Sequence, residues 1–375
     1  MDFQMTTISN YSSAYTYNTS VKSNKEQTYE GQDPGSGTTK QNAPANVQAD
    51  AEESISSSLN SFRLGALDTF LQFLLDSIGE GKSQTLGTES NDTIRSYDGS
   101  VVDGLAGDDA IDVYDHSYVD GGDGNDTIST YDHAVVIGGD GDDKIGTYDH
   151  SYILGGGGND RISTYDHSVV DGGNGDDRIS GYDHSDIRGG EGNDLIDVYD
   201  HSTVDGGGGN DEIHTYGYAD VSGGDGDDTI NTGDYSTIDG GTGNDRIHTG
   251  GYSTVTGGEG DDLISAGLDS VIKFKGGDGH DAVQLFGSAT LELGEGLSGE
   301  TMQVSLSGNK ATITFDGNAD DSITVEFGPY GVDETTTLTV TFPDGTTQEI
   351  KPESLKAEPK PNPLADRMMD ITLPR

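Results

Sequence analysis

Residues 121–137 read Gly121-Gly122-Asp123-Gly124-Asn125-Asp126-Thr127-Ile128-Ser129, then Thr130-Tyr131-Asp132-His133-Ala134-Val135-Val136-Ile137. The same order of residue types returns every 17 positions on both sides of this stretch. Gly-Gly pairs begin at Gly121, Gly138, Gly155, Gly172, Gly189, Gly206, Gly223, Gly240 and Gly257. Degenerate copies begin at Gly104 and Gly87, and a last pair, at Gly276, follows after 19 residues. These twelve copies define a repeat array over 87–287. One apolar column runs from Ile94 through Ile111, Ile128 and Ile145 to Ile264, closed by Val283; a second runs from Val102 through Val119, Val136 and Ile153 to Ile272. β-Branched side chains favour strands. Each copy therefore holds two short strands joined by two turns, and copies stack in parallel at ~4.8 Å. The class expected is all-β, a parallel β-solenoid of 17-residue coils.

The chain has 375 residues, 68 Asp and Glu against 19 Lys and Arg, and a formal charge of −49. Nucleic-acid binding by phosphate neutralisation is excluded at that charge. With no cysteine, disulfides, thiolate metal sites and cysteine nucleophiles are excluded too. No apolar run approaches the ~20 residues of a membrane span. Only 30% of residues are hydrophobic, and each coil contributes little more than one Ile and one Val to a core. Ordering a coil costs backbone entropy that so thin a core does not offset, and stacked carboxylates repel. The ion-free chain is expected to be marginal or unfolded.

The glycine-rich turn supplies what would neutralise it. Glycines permit positive φ and let the backbone carbonyls converge. Position six of every copy is Asp: Asp92, Asp109, Asp126, Asp143, Asp160, Asp177, Asp194, Asp211, Asp228, Asp245, Asp262 and Asp281. Position five is Asn125, Asp142, Asn159, Asp176, Asn193, Asn210, Asp227, Asn244 or Asp261, with His280 the exception. Position three is often acidic, as in Asp123, Asp140, Glu191, Asp225, Glu259 and Asp278. With the leading glycines from Gly121 to Gly276, these residues form the candidate ligand set. Oxygen donors without thiol or imidazole favour calcium, which takes six to eight oxygens, over the stricter octahedral magnesium.

Copies such as residues 121–129 resemble the glycine-aspartate nonapeptide of RTX, or haemolysin-type, calcium-binding proteins, which the repeat's calcium-binding β-helix signature describes. The resemblance covers about 200 residues. It implies a right-handed parallel β-roll with Ca2+ between successive turns, held by turn carbonyls and the position-six Asp. It also implies secretion to the extracellular space through a type I apparatus with an uncleaved C-terminal signal. The chain departs from the family in one respect: the second nonapeptide of each coil is replaced by a segment such as Thr164-Tyr165-Asp166-His167-Ser168-Val169-Val170-Asp171. Calcium is expected along one edge only, about ten ions in all, one for each regular copy.

The replacement segment forms columns of its own: Tyr97 to Tyr216, Asp98 to Asp200, and His116, His133, His150, His167, His184 and His201, continued by Tyr218, Tyr235 and Tyr252. It reads as a turn motif copied with the repeat, with ring stacked on ring. Two other readings stay open. Imidazoles suit a transition metal, with the adjacent Asp orienting each ring, and a Tyr-Asp-His strip could bind a polysaccharide or host surface as an effector or adhesin does. Ice binding would need an unbroken outward Thr array, and the column Thr130, Thr147, Thr164 is interrupted by Val113, Gly181 and Val198. Neither a His-Glu-x-x-His motif nor a Gly-x-Ser-x-Gly elbow occurs, so no enzymatic activity is expected.

Flanking the repeats, residues 1–50 are polar and read as a disordered tail with no cleavable signal. Residues 51–81 hold Ile55, Leu59, Phe62, Leu67, Phe70, Leu71, Leu74 and Ile78 at helical spacing before Gly79 and Gly81. They read as an amphipathic helix capping the first coil, with a partner- or membrane-binding helix as the alternative. Residues 288–350 read as a small antiparallel β unit, Val304 and Leu306 alternating before the turn at Gly308 and Leu338, Val340 and Phe342 before Pro343-Asp344-Gly345. Residues 351–375 read as a tail, the place for the secretion signal that the resemblance implies.

Overall fold

The computed structural model describes residues 84–97, 99–114, 116–131, 133–328 and 336–352. The tail at 1–50 and the helix expected at 51–81 lie outside the described residues, as does the tail from 353 on. Among the described residues there is no helix; thirty strands form two sheets of 15. The fold is a parallel β-solenoid.

Each regular coil contributes one strand to each sheet. The longer, such as Tyr118–Asp123 or Val135–Asp140, carries the apolar pair and then the Gly-Gly pair. The shorter, such as Thr127–Thr130, carries the Ile column. We call the two layers the Gly sheet and the Ile sheet. Both run in sequence order and in register by 17: Val119 pairs with Val136 and Ile128 with Ile145. The period-two alternation of strands turns the Ile and Val columns inward, where Ile128, Val136 and Ile153 are wholly buried. The Thr column turns inward as well. Thr147 and Thr164 are buried and share a hydrogen bond of 2.8 Å, so they form no outward array.

The parallel ladder continues beyond 287. Ala289–Leu293 lies beside Ser270–Phe274 with an offset of 19, the longer step already visible between Gly257 and Gly276. Both sheets then end in antiparallel strands, as the alternation at 302–315 and 338–350 indicates. In the Ile sheet, Asn318–Phe327 pairs in parallel with His280–Leu285 and antiparallel with Lys310–Phe315, which turns through Gly308 to Met302–Ser307. In the Gly sheet, Leu338–Thr341 follows Ala289–Leu293 in parallel and Thr347–Ile350 closes it antiparallel. The C-terminal unit thus extends both solenoid sheets. Its core is broader, with Phe274, Leu285, Leu291, Phe315 and Phe327 where the coils have Ile and Val.

Candidate metal centre

The Gly-Gly-x-Gly-x-Asp turn joins the Gly sheet to the Ile sheet along one edge. The second glycine of the pair holds positive φ throughout, for example +122° at Gly190. A Cβ on Gly190 would stand 2.0 Å from the carbonyl oxygen of Gly173, so only glycine admits the neighbouring coil. Leu105 takes this place in a degenerate copy and is forced to φ +76°.

The position-six carboxylates are divided between two tasks. Each main-chain N–H in the series donates to Oδ1 of the Asp one coil further on: Asp126 to Asp143 at 2.7 Å, Asp177 to Asp194 at 2.8 Å, Asp262 to Asp281 at 3.1 Å. The other oxygen, Oδ2, is buried and has no hydrogen-bond partner among the described residues in Asp109, Asp126, Asp143, Asp160, Asp177, Asp194, Asp211, Asp228, Asp245 and Asp262. These ten oxygens stand over the leading glycines. A Cβ on Gly189 would meet Asp194 Oδ2 at 2.3 Å and the carbonyl oxygen of Gly206, on the next coil, at 2.4 Å. The same pair of contacts recurs at Gly121, Gly138, Gly155, Gly172, Gly206, Gly223 and Gly240. Two oxygens from consecutive coils thus converge over an α-carbon that must stay bare.

The electrostatics of this column are unfavourable without a counterion. Burial pushes Asp126, Asp160, Asp211, Asp245 and Asp262 up to about 6, and Asp143, Asp194 and Asp228 up to about 7, with neighbouring carboxylates adding and the N–H donors opposing. Asp177 and Asp281 reach about 8. Buried oxygen atoms with no partner are rare in folded proteins and call for an explanation such as an ion. One carboxylate oxygen and main-chain carbonyls per coil are hard donors of the kind calcium takes. Among the described residues no group of three or more His, Asp or Glu side chains is arranged to hold a metal ion, so carbonyls would have to supply the balance.

Positions five and three are placed differently. Asn125, Asp142, Asn159, Asp176, Asn193, Asn210, Asp227, Asn244 and Asp261 are exposed and form an outer ladder, each Oδ1 accepting the next coil's N–H, as Asn125 does from Asp142 at 2.8 Å. Asp123, Asp140 and Asp225 are exposed beside it. Sequence period alone does not tell which side of the turn a carboxylate faces.

The array ends differently at each side. In the first copy the backbone N–H and hydroxyl of Thr88 donate to Asp92 Oδ2 at 2.6 and 2.8 Å, satisfying the oxygen that is bare elsewhere. In the last, the nearest atoms to a Cβ on Gly276 would be the Glu295 carbonyl oxygen at 3.3 Å, the Gly296 α-carbon at 3.6 Å and Asp321 Oδ2 at 3.8 Å, with no Asp281 oxygen among them. Asp278 there accepts the Lys275 N–H at 2.8 Å. Asp321 enters from the C-terminal unit and accepts N–H bonds from Gly277 at 3.0 Å and Gly279 at 3.1 Å, with the Asn318 amide as a further donor. Burial pushes Asp321 up, but those donors outweigh it and hold the carboxyl below its usual range. Sequence reasoning missed Asp321, which lies 44 residues from Gly277 and belongs to no repeat.

On the opposite edge the rings stack as expected. Tyr131, Tyr148 and Tyr165 lie 5.0–5.3 Å apart, and the His column from His116 to His201 runs at 5.0 Å. Tyr218, Tyr235 and Tyr252 continue it. Every member of the His column sits at φ between +51° and +61°, a region that side chains larger than Asn rarely occupy. The rings turn their faces to each other and their edges outward. The neighbouring Asp side chains serve the backbone, Asp166 Oδ1 accepting the N–H of Asp183 at 3.2 Å.

No protein-family profile matches the chain, and no curated protein matches it in sequence. Among solved structures, the chain is similar to the extracellular lipase LipA from Serratia marcescens, with 18% identity and a TM-score of 0.25. The match covers 44% of this chain and 37% of the lipase chain, so the chain spans little more than a third of that protein.

Proposed function

We propose that the chain is a secreted, non-enzymatic calcium-binding repeat protein whose solenoid folds when Ca2+ fills the Gly-Asp edge. The observation that carries this reading is the column of ten buried Oδ2 atoms without hydrogen-bond partners, each over a leading glycine. Asp109 to Asp262 would supply one carboxylate oxygen per site, and turn carbonyls such as that of Gly206 the others. A bound cation there offsets both the burial of the carboxylates and their mutual repulsion. The chain carries −49 charges, so in calcium-poor surroundings self-repulsion keeps it extended and fit for export through a type I apparatus. In calcium-rich surroundings each site held at 100 times its dissociation constant adds about 2.7 kcal/mol.

Far-UV circular dichroism during a calcium titration of the whole chain tests this, with magnesium as control and EDTA for reversal. A cooperative gain of β signal in calcium alone, with about ten ions bound by calorimetry, is the expected result. A spectrum equally β-rich in EDTA would overturn it.

A further inference from the structure

On the Gly sheet, Val119, Val136 and Ile153 point inward and belong to the central core. Alternation turns their neighbours outward. Yet Tyr118, Val135, Ile137, Tyr152 and Leu154 are only 1%, 1%, 7%, 7% and 6% exposed, and none belongs to that core. The sheet alone does not bury such positions, because further along the same face Thr203, Thr237 and Asp239 are exposed. Among the described residues every strand lies in one of the two sheets, so no other strand crosses this face. An apolar patch three coils wide is therefore shielded by something outside the sheets.

We propose that residues 52–79 dock on this outer face as an amphipathic helix, lying along the side of the solenoid and not over its end. The segment carries Ile55, Leu59, Phe62, Leu67, Phe70, Leu71, Leu74 and Ile78, an apolar stripe of the kind the patch accepts. It ends close to Gln84–Leu86, the first strand of the same sheet, which keeps it within reach. Three coils present about 14 Å, which about three turns of helix cover. At the rim Arg188, whose charge acts on Asp171, holds a buried Nε–H with no hydrogen-bond partner among the described residues, and the segment brings Asp68 and Asp76.

Limited chymotrypsin digestion of the whole chain in calcium tests the proposal, with the tyrosines of residues 1–50 as an internal reference for unprotected chain. Cleavage within 52–79 should be at least about tenfold slower than in the reference, because several large apolar side chains are buried together. Val135→Thr/Ile137→Thr/Leu154→Thr should remove that protection while the β signal is retained, and Thr203→Ser/Thr237→Ser should not. The absence of cysteine allows a second arm that needs no patch substitution. Spin labels at Leu71→Cys and Asp120→Cys should lie closer together than labels at Leu71→Cys and Asp239→Cys. The proposal is overturned if 52–79 is cut as fast as the reference, or if the two label distances are equal. It is equally overturned if protection grows with protein concentration, which would assign the patch to a second copy of the chain.

Discussion

The main-chain N–H of Asp177 donates to Oδ1 of Asp194 at 2.8 Å across a coil boundary, while Oδ2 of the same carboxylate stays buried with no hydrogen-bond partner among the described residues. One oxygen ties neighbouring coils together and the other faces the glycine of its own coil. Asp194→Asn retains a carbonyl oxygen for the first task and replaces the second by an NH2 group. The expected outcome is about one calcium ion fewer and a loss of about 1–3 kcal/mol in the calcium-bound state. Isothermal titration calorimetry reads the stoichiometry, and urea unfolding in calcium reads the stability.

The pH dependence follows from the same column. Burial lifts the folded-state values of Asp143, Asp194 and Asp228 to about 7 and of Asp177 to about 8, above the 3.8 of an unperturbed Asp. Without calcium, the folded chain therefore binds more protons than the unfolded one. The stability associated with these groups is fully present below about pH 4 and is lost as pH rises through about 6 to 8. In EDTA, β signal should appear on acidification from pH 8 to pH 5, and calcium affinity should fall over the same interval as protons compete. Circular dichroism at fixed EDTA, and calcium titrations at several pH values, check both halves.

Two glycine substitutions should have opposite signs. Gly189→Ala puts a methyl group 2.3 Å from Asp194 Oδ2 and 2.4 Å from the Gly206 carbonyl oxygen. It should destabilise the calcium-bound chain by about 2 kcal/mol or more, as overpacking does. Gly146→Ala adds a Cβ with no atom within 4 Å. It should stabilise by about 0.4–1 kcal/mol through the unfolded state. Denaturant midpoints of the two variants in calcium give the comparison.

Asp321→Ala removes the acceptor for the N–H groups of Gly277 and Gly279. A loss of about 1–2 kcal/mol is expected: Gly277 is exposed and Gly279 half-buried, so water replaces part of what the two amides lose. Hydrogen exchange should accelerate at 276–281 while the Gly121 to Gly240 coils keep their protection. Because the folded-state value of Asp321 is depressed, its contribution is present above the unfolded value of an Asp and fades as pH falls, opposite in sign to the position-six column.

What repeats was readable from residue order: a 17-residue period fixes which Ile meets which Ile, whatever the turns do. Invariance within the array singled out Asp126 and its equivalents as candidate ligands, and the structure adds that they are buried. The outward turn of Asp142 did not, because a carboxylate one residue away in a tight turn faces the other side with no change of spacing. The positive φ of His133 and Tyr235 also left no trace in composition, since glycine or asparagine is the usual mark of that conformation. Features that break the repeat were the hardest to read. Thr88 beside Asp92, Asp321 over Gly277 and the apolar face at Val135 and Ile137 each occur once and depend on contacts that periodicity does not encode.

The register of 17 has one more consequence, for heredity more than for folding. Between Gly172 and Gly223 every coil offers its neighbours the same main-chain pairing on the Gly sheet, so a copy gained or lost there leaves that register as it was. Gain or loss of whole 17-residue units would change the length of the array in whole steps, while the Thr88 and Asp321 ends stay as fixed terminals. The chain is in that sense a ruler whose graduations can be edited without redesigning the instrument.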